Sequence, residues 1–103
     1  MEVHFRNAYL EKLYEGWPVS GKPRYSDEVI EKFRKKVVLL SNVESSGALR
    51  QFKSLHFEAL KGDKKGLYSI RVDQKYRLEF AIEKNRITLM EIAFIEQLSN
   101  HYQ

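Results

Sequence analysis

This 103-residue sequence has no cysteine, and the side chains that it offers for chemistry are those of histidine, tyrosine, arginine and lysine. His56 is a candidate for proton transfer, since an unperturbed imidazole titrates at about pH 6.5, and His101 and Tyr102 are further candidates. Such groups suit metal-independent RNA cleavage. A base removes the 2′-OH proton, that oxygen attacks the adjacent phosphorus, cations stabilise the charge, and an acid protonates the departing 5′-oxygen. The alternatives without catalysis are that His56 is a partly buried, hydrogen-bonded side chain and that His101 and Tyr102 belong to a polar terminus.

Basic residues are concentrated between Arg50 and Arg77, where eight of them accompany three acids. This segment carries a net charge of +5, and because the whole chain is +4, the remaining 75 residues carry −1. Such an asymmetry indicates a polyanionic partner, with a solvated lysine-rich surface as the alternative. The side chains expected to contact RNA are Lys53, Lys61, Lys64, Lys65, Arg71 and Lys75.

A glycine-flanked turn and a hairpin would position these cations. The turn reads Leu-Lys-Gly-Asp-Lys-Lys-Gly over residues 60–66, and its glycines would let the backbone approach a phosphate chain. Two alternating segments follow, and both apolar faces meet one core only if residues 73–75 form a three-residue turn. This register places Arg71 opposite Arg77. Like charges in that position repel, so either Glu79 or a bound anion should offset them.

Helical periodicity occupies the first half of the chain. Asn7 is predicted to cap a helix over 8–16, with an apolar stripe of Leu10, Leu13 and Trp17. Ser26 is predicted to cap a helix over 27–42. The stripe of this second helix is Ile30, Phe33, Val37 and Leu40, and its expected ion pairs are Glu28–Lys32 and Glu31–Lys35.

Strands are predicted over 2–5, 67–72, 76–82 and 86–95, with a phase slip near Met90–Glu91 that suggests either a bulge or a strand covered on both sides. A connector over 43–55 has a helical turn near 48–53, and residues 96–103 form a polar tail with one or two helical turns. We therefore expect one α+β domain over 1–103, with two N-terminal helices on one face of a small antiparallel sheet.

Several classes of protein are disfavoured by what the sequence lacks. No aliphatic run exceeds four residues and no apolar leader is visible, so we expect a cytoplasmic protein without a membrane partner. The histidines are well separated, so we expect no metal site. No Walker loop, GxGxxG or GxSxG motif is present, and we expect no cofactor.

A specific resemblance covers about 25 residues. Residues 57–72 read FEALKGDKKGLYSIRV, and residues 74–80 read QKYRLEF. This pattern resembles RelE/ParE superfamily toxins, above all the HigB-like plasmid maintenance killer branch. The resemblance implies a RelE-like fold, a ribosome-dependent mRNA endonuclease and a HigA-like antitoxin. It also implies that Arg77 is the phosphate-stabilising arginine, that Lys61 is the lysine of the LKG motif, and that His56 lies near a catalytic histidine.

Two other functions are compatible with this resemblance. A ParE-like toxin would bind and inhibit DNA gyrase without proton-transfer groups, and an inert relic would bind only its antitoxin. A basic sheet face with histidine and tyrosine in reach favours cleavage over gyrase inhibition. The C-terminal catalytic candidates in this chain are His101 and Tyr102, which stand in reverse order to the Tyr-His ending common in the family.

Overall fold

A computed structural model of the protein describes residues 1–100, so the proton-transfer candidates His101 and Tyr102 lie outside the described residues. The elements are β1 (Glu2–Phe5), α1 (Ala8–Glu15), α2 (Asp27–Asn42), β2 (Glu58–Ala59), β3 (Leu67–Arg71), β4 (Tyr76–Lys84) and β5 (Glu91–Asn100), with 3-10 helices at Ser46–Gln51, Lys53–Leu55 and Gly62–Lys64. The five strands form one sheet in the order β1-β5-β4-β3-β2.

The α+β fold with two N-terminal helices is confirmed. The side chain of Asn7 accepts a hydrogen bond from the Leu10 amide at 3.1 Å, and Ser26 accepts one from the Val29 amide at 3.2 Å, so both caps are as predicted. Both helices bury one apolar face in a core shared with the sheet. The buried helix residues are Leu10, Leu13, Val29, Phe33, Val37 and Leu40. The predicted antiparallel arrangement holds for all strand pairs except one, because β1 pairs parallel to β5.

Two predictions about the helices are wrong. Trp17 is exposed because α1 ends at Glu15 and Gly16, at φ 80°, turns the chain away from the helix axis. Glu31 pairs with Arg34 at 2.8 Å rather than with Lys35. Arg34 also donates from Nε to the Leu13 carbonyl, which draws its guanidinium toward α1.

The β3–β4 hairpin has the predicted register. Ile70 lies opposite Leu78 and Arg71 lies opposite Arg77, while the Val72 amide donates to the Tyr76 carbonyl across the turn. Oδ1 of Asp73 accepts hydrogen bonds from the backbone amides of Lys75 at 2.8 Å and Tyr76 at 2.7 Å, and these bonds close the three-residue turn.

The start of the last strand was predicted wrongly. β5 begins at Glu91, and residues 86–90 belong to the β4–β5 loop. Asn85 causes this difference, because its Oδ1 accepts from the amides of Ile87 and Thr88 at 2.9 and 3.0 Å and turns the chain. Ile87 and Leu89 therefore give an alternating pattern in the sequence but lie exposed in a loop.

The end of the last strand was also predicted wrongly, because the residues assigned to a helical tail continue β5 to Asn100. Glu79 pairs with Gln97 and Phe80 pairs with Ile95, so Glu96 is an extra residue that forms a bulge. The bulge resets the alternation, and Ile95 and Leu98 both enter the core although they are three residues apart. In residues 1–100, no helix has the length and apolar character needed to cross a membrane.

Candidate functional site

The sheet has a polar face, turned away from the two helices, on which the predicted cations meet. It consists of Ser69 and Arg71 on β3, Arg77 and Glu79 on β4, and Ser99 on β5. Alternation along the strands sends these side chains away from the core residues between them. The segment from the second 3-10 helix through β2 to the lysine-rich turn contacts part of this face, because His56, Glu58 and Lys64 all bond to side chains on it.

Arg77 is held in place at the centre of this face and is 8% exposed. Its Nε donates to the Ser69 hydroxyl at 2.9 Å, and its Nη2 donates to the His56 carbonyl at 2.6 Å. The same Nη2 lies 3.5 Å from a carboxylate oxygen of Glu58. Within residues 1–100 these contacts use Nε and Nη2 only, so Nη1 is the guanidinium nitrogen left to bind an anion.

His56 adopts a left-handed backbone conformation, with φ 47° and ψ 50°, at the end of the second 3-10 helix. This conformation is uncommon for residues other than glycine, although histidine adopts it more often than most. It directs the carbonyl to Arg77, while Nε2 of the exposed ring lies 3.3 Å from Nη1 of Arg71. A guanidinium only donates, so Nε2 is assigned as the acceptor and presents a lone pair.

Glu79 anchors the lysine-rich turn. Its Oε2 accepts from Nζ of Lys64 at 2.8 Å and from the Ser99 hydroxyl at 2.6 Å. The side chain is almost fully buried, and its Oε1 has no hydrogen-bond partner in the described part of the chain. Glu79 was predicted as one of two groups that could offset the repulsion between Arg71 and Arg77, but its carboxylate bonds to Lys64 and Ser99. The carboxylate that lies beside Arg77 belongs to Glu58.

The other predicted cations are distributed around the site. Lys61 and Lys65 are exposed on the turn that carries Lys64. Lys53 lines a small cleft together with His56. Lys75 lines a different cleft, between the β3–β4 turn and the start of α2. The structure thus brings Arg71, Arg77, His56 and Lys64 together and leaves the remaining lysines at its periphery.

Ser69, Glu58 and Ser99 were not predicted as site residues. Ser69 is fully buried and fixes the arginine, and its position two residues before Arg71 in an alternating strand was the available signal. Glu58 lies on β2, which has only two residues and therefore too little pattern to be recognised. Ser99 falls on the polar face only because of the bulge at Glu96, which alternation alone does not reveal.

Tyr25 supports β5 beside this face. Burial raises the pKa of its hydroxyl, which stays protonated and donates to the Leu98 carbonyl at 2.8 Å. This bond holds the strand next to Ser99. In residues 1–100, no group of three or more His, Cys, Asp or Glu side chains is placed to hold a metal ion.

The Lys64–Glu79 contact leads to a prediction about stability. Lys64→Met should lower the free energy of unfolding by about 1–3 kcal/mol, because the buried Glu79 carboxylate loses its charged partner. Lys65→Met is the matched control, since this neighbouring side chain is exposed and its change should stay within about 0.5 kcal/mol. Urea denaturation measures both. Equal effects of the two changes would show that the contact does not stabilise the fold.

Comparisons with known proteins bear on this site. The family model described as "RelE-like toxin of type II toxin-antitoxin system HigB" matches residues 3–92. An uncharacterized protein of Haemophilus influenzae is 30% identical over 84 residues, which are 82% of this chain and 81% of that protein.

Two solved structures are similar in fold. A "YoeB/ParE toxin from Agrobacterium tumefaciens" is 20% identical with a TM-score of 0.60, and the match covers 99% of this chain and 100% of that one. YafQ from E. coli is 14% identical with a TM-score of 0.58, and the match covers 97% of this chain and 92% of that one. At these identities the likeness concerns the fold alone.

Proposed function

Because the chain belongs to the HigB-like family of RelE-like toxins from type II toxin-antitoxin systems, we propose that it is an endoribonuclease that cuts mRNA on the ribosome and so inhibits translation. Membership of this family implies an antitoxin partner. The proposal adds a HigA-like identity for that antitoxin, the ribosome and mRNA as targets, and the cytoplasm as the compartment. It also treats residues 1–103 as one toxin domain.

The observation that supports cleavage best is the position of Arg77. Its guanidinium is fixed by Ser69 and the His56 carbonyl, while Nη1 stays unbonded in the described residues. A donor fixed before the reaction stabilises the charge that develops on a phosphate without reorganisation at that moment. Arg77 is therefore assigned to the pentavalent phosphate.

Proton transfer is assigned to His56 because its ring faces the same site. In this mechanism Nε2 leaves Arg71 and takes the proton of the 2′-OH, and the 2′-oxygen bonds to phosphorus as the bond from phosphorus to the 5′-oxygen breaks. The departing oxygen receives a proton from His101 or Tyr102, the proposed acids. The products are a 2′,3′-cyclic phosphate and a 5′-hydroxyl end.

The surrounding cations bind the RNA strand. Arg71 and Lys64 lie next to the reacting phosphate, and the lysines at the periphery contact neighbouring phosphates. Lys64 gives up its bond to Glu79 for a phosphate oxygen in this scheme. The peripheral contacts are assigned to Lys53, Lys61, Lys65 and Lys75.

The test is to incubate the purified protein with ribosomes translating a defined mRNA and to map the ends of the fragments. We expect fragments with a 5′-hydroxyl end and a 2′,3′-cyclic phosphate. An mRNA with a 2′-O-methyl group at the cut position is the matched control and should stay intact, because the attacking hydroxyl is blocked.

The same preparation should be assayed for inhibition of DNA supercoiling by gyrase. Gyrase inhibition without RNA fragments would replace the proposed function by that of a gyrase-binding toxin. An mRNA that is cut equally well with the 2′-O-methyl group in place would contradict the mechanism.

A further inference from the structure

A small cleft next to the polar face combines aromatic and cationic side chains. It has a volume of about 270 Å³ and is lined by Leu49, Arg50, Phe52, Lys53, His56 and Phe57. Phe52 is 45% exposed although it is a large apolar residue. Among the described residues, the cleft is lined by two cations and no carboxylate. Its aromatic rings and its positive charge together suit a partner that is both flat and anionic.

One of the two aromatic residues of this cleft, Phe57, is held by ring contacts. Phe57 stacks on Tyr68 with ring centroids 5.5 Å apart and planes at 15°, and it lies 6.3 Å from Phe80 at 14°. The guanidinium of Arg50 lies 5.1 Å from the centroid of the Phe57 ring. A ring held in this way loses little conformational freedom when a ligand packs against it.

The cleft and the proposed site of phosphate transfer share one residue, His56. His56 is among the residues that line the cleft, its Nε2 lies 3.3 Å from Nη1 of Arg71, and its carbonyl accepts a hydrogen bond from Arg77. A nucleotide whose phosphate lies at Arg77 therefore has a binding surface for its base on the other side of His56.

We propose that this cleft is a nucleobase subsite, in which one base of single-stranded RNA stacks on Phe52 while Arg50 and Lys53 bind the adjoining backbone. Interleaved aromatic and cationic residues bind single-stranded nucleic acid in this way, and stacking tolerates any base because every base has a π-face. The subsite thus contributes affinity for an unpaired base and does not select its identity. The proposal rests on the proposed function, because the stacked base belongs to the RNA strand that the protein would cut.

The test uses a probe that cannot be cleaved, a fluorescent five-nucleotide 2′-O-methyl RNA, and measures its dissociation constant by anisotropy at low salt. A second set of probes carries one abasic nucleotide at each position in turn. We expect one abasic position to weaken binding to the unsubstituted protein by about tenfold. Phe52→Leu, which keeps an apolar side chain but removes the ring, should weaken binding of the intact probe by a similar factor.

The decisive result is the coupling between the two changes. On Phe52→Leu, the sensitive abasic probe should bind as the intact probe does, because the base has lost its stacking partner. Phe52→Trp should restore binding and the sensitivity to the abasic position. Trp17→Leu is the matched control, since Trp17 is an exposed aromatic outside this cleft, and it should leave binding unchanged.

Three results would overturn the subsite: no binding of the intact probe at low salt, equal binding by Phe52→Leu and the unsubstituted protein, or additive losses. Because the probe cannot be cut, this result is separate from the proposed function. Coupling without mRNA cleavage would keep the subsite and reject the nuclease, and cleavage without coupling would do the reverse.

Discussion

Arg77→Lys is expected to slow mRNA cleavage by roughly 10²–10³-fold, the usual effect of losing one fixed donor to a developing oxyanion. Lysine keeps the positive charge but cannot bond to Ser69, to the His56 carbonyl and to a phosphate with the geometry of a planar guanidinium. The rate should be measured on ribosome-bound mRNA in single-turnover conditions, together with a thermal melt of each protein.

The lysine variant is a sharper test than alanine. Arg77→Ala would leave the buried Ser69 hydroxyl and the His56 carbonyl without their donor, which costs about 1–3 kcal/mol of stability. Arg86→Lys is the matched control, because Arg86 is exposed in the β4–β5 loop. Full activity of Arg77→Lys would mean that the arginine is only structural.

His56→Asn is expected to lower the cleavage rate by about 10²–10⁴-fold, the range for removing a proton-transfer group. Asparagine tolerates the left-handed backbone that His56 adopts, so the carbonyl should stay on Arg77 and the fold should be retained. His56→Gly also fits this backbone and should be equally slow.

His101→Ala belongs in the same series, because His101 is the other histidine proposed for proton transfer. A slow His101→Ala variant beside a slow His56→Asn variant would agree with one acid and one base. If His56→Asn cuts at the full rate, the base must be another group, and the lysines of the turn over 60–66 become the candidates.

The hairpin of β3 and β4 could be predicted down to its register because two alternating strands must present their apolar faces to one core. That single requirement predicts that Arg71 lies opposite Arg77, as the structure has it. The two helices could be predicted equally well, since a capping residue and an apolar stripe of period 3.6 mark each of them. The helix caps and stripes are local features, and the hairpin register depends only on the two-residue alternation of side chains along a strand.

The remaining features depend on irregular backbone. The bulge at Glu96 interrupts the alternation of β5, and the left-handed turn at His56 carries a carbonyl to a strand 21 residues away. No periodic pattern reports either of them. For this reason the types of the site residues could be predicted, but the bonds from Arg77 to Ser69 and His56 could not.

The side-chain bonds to β5 also have a consequence for self-association. β1 pairs with β5 only as far as Ile95, so Gln97, Leu98 and Ser99 have no neighbouring strand on that side among residues 1–100. An open strand edge of this kind is a template for adding a foreign strand. Asn7 donates to the Glu96 carbonyl and Tyr25 donates to the Leu98 carbonyl, so two of the acceptors along this edge are already occupied. Because these two acceptors are occupied, we expect this edge to be a poorer template for intermolecular strand addition.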